Sequence, residues 1–394
     1  MNYILFDGPV RNQLLPFTYT RPMSEIRCGI MTITEKWNHF LKTNVSFLTE
    51  DYLQVKYPAL HTESMTYING SLFPSEKLIS VINSLDEGEL LYHQQKEKVI
   101  AIRTNQKLEL GAFDLHTFHQ INFTEAIISI DHTWDIFTLN DSAIKLDYGL
   151  LTNDRYSQEL DDSNRHIGNQ LFIEEGAKVQ GAILNSTTGP IYIGKNAEVM
   201  EGSVIRGPLA LCEGAQIKMA AKIYGATTIG PQCRVGGEVS NSVLFGYSNK
   251  GHDGFLGNSV LGEWCNLGAD TNVSNLKNNY AEVKIWNYEK GGFKNTGLQF
   301  CGLMMGDHSK SGINTMFNTA TVVGVSANVY GGGFPRNFIP SYAWGGADKW
   351  ITFRTNKAFE VAEKMMERRG IPFTDTDKAI MECIFEETAK YRNF

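Results

Sequence analysis

Residues 193–235 read IGKNAEVMEGSVIRGPLALCEGAQIKMAAKIYGATTIGPQCRV, and a single spacing organises them. An aliphatic residue recurs at every sixth position: Ile193, Val199, Ile205, Leu211, Ile217, Ile223, Ile229 and Val235. At ordinary apolar content, eight such hits from a chosen start arise about 0.2–0.4% of the time. Two residues before most of them stands a small side chain: Ala197, Ser203, Ala215, Ala221, Thr227, Cys233. The pairing returns as Ser259/Leu261, Cys265/Leu267 and Thr271/Val273. A period of six is neither helical nor a simple strand alternation. It describes a triangular coil of three hexads, with a short strand on each side, the aliphatic residue inward and the small one at the corner. Coils stacked at the strand spacing of roughly 4.7–4.9 Å set each aliphatic residue on its equivalent in the next coil. The expected fold here is a parallel β-helix of hexapeptide repeats, left-handed by its pattern.

The phase breaks after Val235, because Phe255 follows it by 20 residues where three hexads need 18. A loop is therefore expected to leave the wall between Asn241 and Gly254. A second irregular stretch, from Leu276 to about Asp307, is rich in Asn, Lys and Gly. A weaker repeat resumes with Ile313, Thr319 and Val325. Loops on a rigid solenoid are where binding and catalytic groups concentrate.

The flanks follow other periods. In residues 351–394, Ala358, Phe359, Ala362, Met365 and Met366 share a helical face, and Gly370 can stop that helix. Thr374 with Asp377 reads as a capping box opening a second helix through Ile380, Met381, Ile384 and Phe385. In residues 1–160, short β-like runs (Tyr3–Phe6, Val45–Leu48, Ile127–Ile130) alternate with helical ones (Met31–Leu41, Glu76–Asn83). That alternation implies a Rossmann-like α/β domain with a mostly parallel sheet. The expected domains are thus 1–160, the β-helix at 161–350 and a helical tail at 351–394. The turn after the first strand, Asp7-Gly8-Pro9-Val10-Arg11, is the standard place for a phosphate in such a domain. Arg11, Arg21 and Arg27 offer forked donors to it. Tyr67–Leu72 reads as a second strand-end loop.

Composition narrows the function classes. Lys and Arg supply 36 positive charges against 43 from Asp and Glu, a formal −7, with no basic block. Electrostatic nucleic-acid binding is therefore not expected. No apolar stretch reaches the roughly 18 residues of a membrane span. The run Met1-Asn2-Tyr3-Ile4-Leu5-Phe6-Asp7 lacks a basic region and a small-residue cleavage site. The six cysteines (28, 212, 233, 265, 301, 383) make no CxxC pair. Their scatter fits free thiols in a reducing cytoplasm, with neither a disulfide frame nor a metal site.

The stretch from His252 to Asn275 resembles a known enzyme core. It runs His252-Asp253-Gly254-Phe255-Leu256-Gly257-Asn258-Ser259-Val260-Leu261-Gly262-Glu263-Trp264-Cys265-Asn266-Leu267-Gly268-Ala269-Asp270-Thr271, with Asn275 four residues on. This is similar to the acetyltransferase core of the bifunctional bacterial N-acetylglucosamine-1-phosphate uridylyltransferase / glucosamine-1-phosphate acetyltransferase family. That family shows a His, an aromatic three residues later, two Leu/Ile-Gly pairs, then an Asn-Ile-Gly-Ala-Gly-Thr segment and a further Asn. Arg21-Pro22…Arg27-Cys28-Gly29-Ile30 and Trp134-Asp135-Ile136-Phe137 with Asn140-Asp141 look like the signature of its divergent two-domain bacterial relatives. In these a shortened nucleotidyltransferase-like domain precedes the hexapeptide domain.

The resemblance implies a general-base role for His252, an aromatic wall at Phe255, and sugar contacts at Asn266 and Asn275. It implies an acetyl-CoA groove along Ala269, Gly312 and Ala327, and a homotrimer whose prisms share that groove. The family's Gly-x-Gly-Thr-Arg loop is absent here, and Ser240 aligns where the family has a Lys. Lys250, Lys222, Lys277 and Lys284 are the candidate phosphate partners. Asp307-His308-Ser309-Lys310 reads equally as a polar site or a solvated turn. The chemistry itself needs little: a neutral amine, a thioester carbonyl in reach and a base titrating near neutrality, as histidine does.

The expected function is amino-sugar activation for cell-envelope synthesis. Acetyl-CoA acetylates glucosamine 1-phosphate, and the N-terminal domain joins the product to UTP or another NTP with Mg²⁺. Two alternatives stand beside it. One is a nucleotidyltransferase for another sugar 1-phosphate with an inactive β-helix; the other is a non-catalytic trimeric scaffold that binds a sugar nucleotide.

Overall fold

The structure, a computed structural model, describes residues 2–111 and 114–394. Met1, the first residue of the N-terminal run, lies outside the described residues. The chain divides into two compact units: Met1–Leu14, Thr20–Ile26 and Met31–His132, then Leu15–Tyr19, Arg27–Ile30 and Thr133–Phe394.

The first unit is built on a six-stranded sheet. Its strands are β1 (Asn2–Phe6), β2 (Ser46–Leu48), β3 (Met65–Asn69), β4 (Glu89–His93), β5 (Lys98–Thr104) and β6 (His119–Asn122), in the order β2-β1-β3-β5-β4-β6. Only β5 runs against its neighbours, so five strands share one direction. All five residues of β3 are buried, as a central strand covered on both faces requires. Ile4, Phe6, Leu48, Met65, Tyr67, Leu90 and Ile102 form one core cluster. Helix α1 (Ile33–Leu41) begins at a capping box between Thr32 and Glu35. Short α2 (Asp51–Gln54) follows β2, and Ser75 caps α3 (Glu76–Asn83). The β-like run Ile127–Ile130 does not become a strand. Its backbone bonds to the short segment past β3, through Phe73 N–H to Ile128 and Ile130 N–H to Ser71, and it makes a bridge at Ser129.

The second unit is a parallel β-solenoid of about ten turns whose three faces carry six, nine and ten strands. On the second face Ile193 pairs with Leu211 and Leu211 with Ile229, the 18-residue step of three hexads. Every aliphatic residue of the founding repeat, Ile193 to Val235, is at most 1% exposed and belongs to the interior cluster. The hexapeptide reading stands.

The phase break has a different cause from the expected loop. On the third face Val235 pairs directly with Lys250, so that coil closes in 15 residues instead of 18. The wall is contracted between 235 and 250, and nothing loops out. One coil later Leu256, not Phe255, takes the inward place. The resumed repeat also lies in another phase. Ser311, Phe317, Val323 and Val329 turn inward, whereas Ile313 is 71% exposed. The irregular stretch before it contains an antiparallel hairpin of Lys284–Asn287 and Gly292–Asn295.

Helix α4 (Asp135–Thr138) and helix α5 (Asn140–Thr152) precede the solenoid. They explain the residues Cys28-Gly29-Ile30 and Asn140. Gly29 N–H donates to Asn140 Oδ1 at 2.7 Å, Ile30 N–H to Asp147 Oδ2 at 2.8 Å, and Thr228 Oγ1 to the Gly29 carbonyl at 2.9 Å. Gly29 has φ +87°, and a Cβ there would lie 2.4 Å from Asp147 Oδ2, so glycine is required. Ile30 and Ile144 pack with Phe172, Tyr192 and Ala210 over the second face. This signature is a clasp on the solenoid.

Helix α6 (Thr355–Glu367) buries Ala358, Ala362 and Met366, and Gly370 follows it at φ +69°. Helix α7 (Asp375–Glu387) opens with the expected Thr374/Asp377 capping box. Tyr342 in the last coils donates to the Met381 carbonyl at 2.7 Å and packs edge-on to Phe385, joining α7 to the solenoid. Among the described residues no helix is long and apolar enough to cross a membrane.

Candidate functional site

The corner after the short coil carries the singled-out histidine. Residues 251–254 turn the chain from the third face (Asn249–Lys250) to the first (Phe255–Gly257), and His252 stands exposed there. The turn is held by main chain, with Asp253 accepting from Asp270 N–H at 3.0 Å and Gly254 from Glu238 N–H at 3.2 Å. Phe255 opens the next strand in the outward column, where its N–H donates to Asn272 Oδ1 at 2.9 Å.

Gly257, beside that corner, is covered by two side chains. A Cβ on it would lie 2.6 Å from Asn275 Nδ2 and 2.6 Å from Phe255 Cζ. The bare backbone thus lets an aromatic edge and an amide meet. Asn275 Nδ2 donates to Asn258 Oδ1 at 2.9 Å, leaving its own carbonyl oxygen as an acceptor. Asn266 lies elsewhere, on the third face in the outward column between Asn249 and Lys310. The fold therefore gathers Phe255 and Asn275, sets His252 at the adjoining corner, and puts Asn266 on the neighbouring face.

The remaining solenoid candidates are spread out. Ala269 is half-buried at the corner one coil beyond His252, its carbonyl accepting from Asn314 N–H at 2.9 Å. Gly312 is half-buried beside Tyr330. Ala327 points into the core at 1% exposure, so only its main chain can face a ligand. Lys222 lines a separate cavity of about 580 Å³ with Arg206, Tyr224 and Glu238. Lys277 donates to the Glu282 carbonyl, and Lys284 lies in the hairpin.

Lys250 does not reach outward. It is 2% exposed, in the inward column opposite Val235, and its ammonium donates to the His252 carbonyl at 2.7 Å. Burial pulls its pKa down to about 8, partly offset by Asp253 and Asp270. The Asp307–Lys310 segment is no solvated turn either. Asp307 and Ser309 are buried, Asp307 Oδ1 accepts from Glu263 N–H at 2.9 Å, and Lys310 donates to the His308 carbonyl.

The first unit has its own cavity, about 760 Å³, at the carboxyl ends of β1 and β3. In an open α/β sheet that is where ligands bind. Its wall includes Asp7–Asn12, Glu50, Asn69, Lys98 and Asp131. Asp7 is buried; it accepts from Met23 N–H at 2.8 Å and from Thr49 Oγ1 at 2.6 Å. Burial raises its pKa to about 6, with Arg11 opposing. Arg11 sits 3.3 Å from both Asp7 and Glu50 and donates to Tyr52 OH at 3.0 Å, so its fork is already engaged. Lys98 donates to Asp131 and to Ser71 Oγ, while Ser129 Oγ donates to Asp131 at 2.9 Å. Arg21 is buried in this unit. Arg27 belongs to the second unit, where its Nε donates to the Phe245 carbonyl at 3.2 Å. Of the three arginines, Arg11 is the one among the described residues of this cavity's wall. Glu50, Lys98 and Asp131 have no role readable from the sequence, and Asp7 enters there only as part of the turn after β1. The only sequence signal for them is the strand-end position of Asp7 and of the loop after β3.

Residues 3–156 match the family described as sugar nucleotidyl transferase. The chain is similar to a bifunctional sugar-1-phosphate nucleotidylyltransferase/acetyltransferase of Sulfurisphaera tokodaii, 29% identical over 240 residues, covering 59% of this chain and 53% of that protein. It is also similar to the bifunctional protein GlmU of Synechococcus elongatus, 23% identical over 191 residues, covering 46% and 38%. The chain thus spans about half, or less, of the length of these relatives. Among solved structures, the polySia-specific acetyltransferase NeuO matches 53% of this chain and 99% of its own, at 12% identity and a TM-score of 0.27. The chain therefore carries a sugar nucleotidyltransferase-like domain and is similar, over part of its length, to bifunctional nucleotidylyltransferase/acetyltransferase proteins.

Proposed function

We propose that the second unit transfers an acetyl group from acetyl-CoA to the amine of glucosamine 1-phosphate, with His252 as general base. The neutral acceptor nitrogen attacks the thioester carbonyl; the C–N bond forms and the C–S bond breaks, while His252 takes the proton from that nitrogen and returns it to the CoA sulfur, which leaves as the thiol. What supports the reading is the exposed His252 beside the contact of Phe255 and Asn275 over Gly257. Phe255 and Asn275 bound the sugar, Asn266 contacts it from the next face, and acetyl-CoA lies along Ala269, Gly312 and the Ala327 main chain. The working form is a cytoplasmic homotrimer; sedimentation would return a 44.1 kDa monomer if that is wrong.

The first unit would then join the acetylated sugar phosphate to UTP or another NTP. Mg²⁺ takes one or two carboxylates alongside substrate phosphates, and Asp131 and Glu50 on the cavity wall fit that demand. When bound, the ion would neutralise the phosphate charge. Arg11, already engaged by Asp7 and Glu50, favours a second reading in which this cavity binds a sugar nucleotide without catalysis. The test assays acetyl-CoA consumption and pyrophosphate release separately on a small sugar-phosphate panel. Acetyl-CoA consumption dependent on glucosamine 1-phosphate supports the proposal, and its absence with every amino-sugar phosphate refutes it. Pyrophosphate release decides between the two readings of the first unit.

A further inference from the structure

A lysine inside the solenoid needs a reason. The inward column of the third face reads Val179, Val199, Ile217, Val235, Lys250, Leu267, Ser311, Val329, and Lys250 is its one charged member. An aliphatic residue there would fill the same space without desolvating an ammonium, which costs free energy wherever the charge is not fully compensated. Among the described residues Lys250 makes no ion pair, and its one hydrogen bond goes to the His252 carbonyl. Asp253 and Asp270 act on it only at longer range.

That bond is placed where it controls the corner. The carbonyls of Asp253 and Gly254 are held by backbone amides, whereas His252's is held by the Lys250 side chain. The His252 carbonyl is turned into the wall, 2.9 Å from where a Cβ on Gly237 would stand. With the carbonyl fixed inward, the imidazole is directed outward.

We propose that Lys250 is a positioning residue: its buried ammonium anchors the His252 carbonyl and so fixes the direction of the His252 side chain. This rests on His252 as the base of the proposed acetyl transfer. The shortened coil is what makes it possible, because the 15-residue step turns residue 250 inward two positions before the histidine.

The test uses the full-length protein and Lys250→Met, which keeps the length of the side chain and removes the amine. Selective isotope labels at His252 read the anchor directly. In Lys250→Met the His252 carbonyl resonance should lose its hydrogen-bond shift, and its backbone order parameter should fall from about 0.85 to below about 0.6. With glucosamine 1-phosphate and acetyl-CoA, kcat should fall about 10–10²-fold with KM for acetyl-CoA nearly unchanged. The effect should also disappear in a His252→Ala background. An unchanged carbonyl resonance and order parameter overturn the proposal. So does a loosened corner whose kcat stays at wild type while His252→Ala lowers it. A loosened corner in a protein whose acetyl transfer ignores His252→Ala leaves the anchor standing and removes the base assignment instead.

Discussion

Gly257 is a single-residue test of the Phe255–Asn275 contact. A side chain there must displace the Phe255 ring or the Asn275 amide, each 2.6 Å from the added carbon, while the strand's backbone is untouched. Gly257→Ala should therefore lower kcat/KM for the sugar acceptor by about 10–10²-fold, with thermal stability little changed. Steady-state kinetics beside a melting curve check this; a large loss of Tm with normal kinetics would make the glycine structural only. At this scale the sequence offers a candidate site only where its residues lie along one run. His252, Phe255, Asn266 and Asn275 keep a fixed spacing along one run. Lys250 was not readable, since a lysine next to Gly251 and His252 reads as solvated until the pairing with Val235 turns it inward. Lys98 and Asp131 were missed because β5 and the segment after β6 meet the turn after β1 only in three dimensions.

The coil from Val235 to Lys250 is the element that departs from its own repeat. Six-residue periodicity is set by local geometry, so the founding coils were legible down to the inward residue. A coil of 15 residues breaks that phase without leaving an extruded loop, and from sequence the two look alike. The same limit misplaced Ile313, because an insertion with its own hairpin resets the count. The buried lysine gives this element a pH signature. Its folded pKa, about 8, lies below the ordinary 10.5, so between those values the unfolded chain holds the proton more tightly. Stability from this group rises with pH across that window, and at pH 7 its cost is fully present. Lys250→Met should therefore raise Tm at pH 7, by a margin that shrinks as pH climbs from 8 towards 10.5. Melts at matched ionic strength across that range would show it, and a pH-independent difference would mean the amine is not the cause.

Across the whole chain, the proposal assigns one site to each unit: a cavity at strand ends in the first, and a corner on a stack of coils in the second. The alternation of strands and helices announced the first frame and the hexad repeat the second. Neither pattern shows which polar side chains are already spent on one another, as Arg11 is on Asp7 and Glu50. Separate sites should fail separately. The decisive measurement is acetyl transfer and pyrophosphate release by His252→Ala at pH 7, beside wild type. The account predicts acetyl transfer reduced about 10²–10⁴-fold with acetyl-CoA affinity and any pyrophosphate release unchanged. A folded variant that acetylates glucosamine 1-phosphate at the wild-type rate would contradict it.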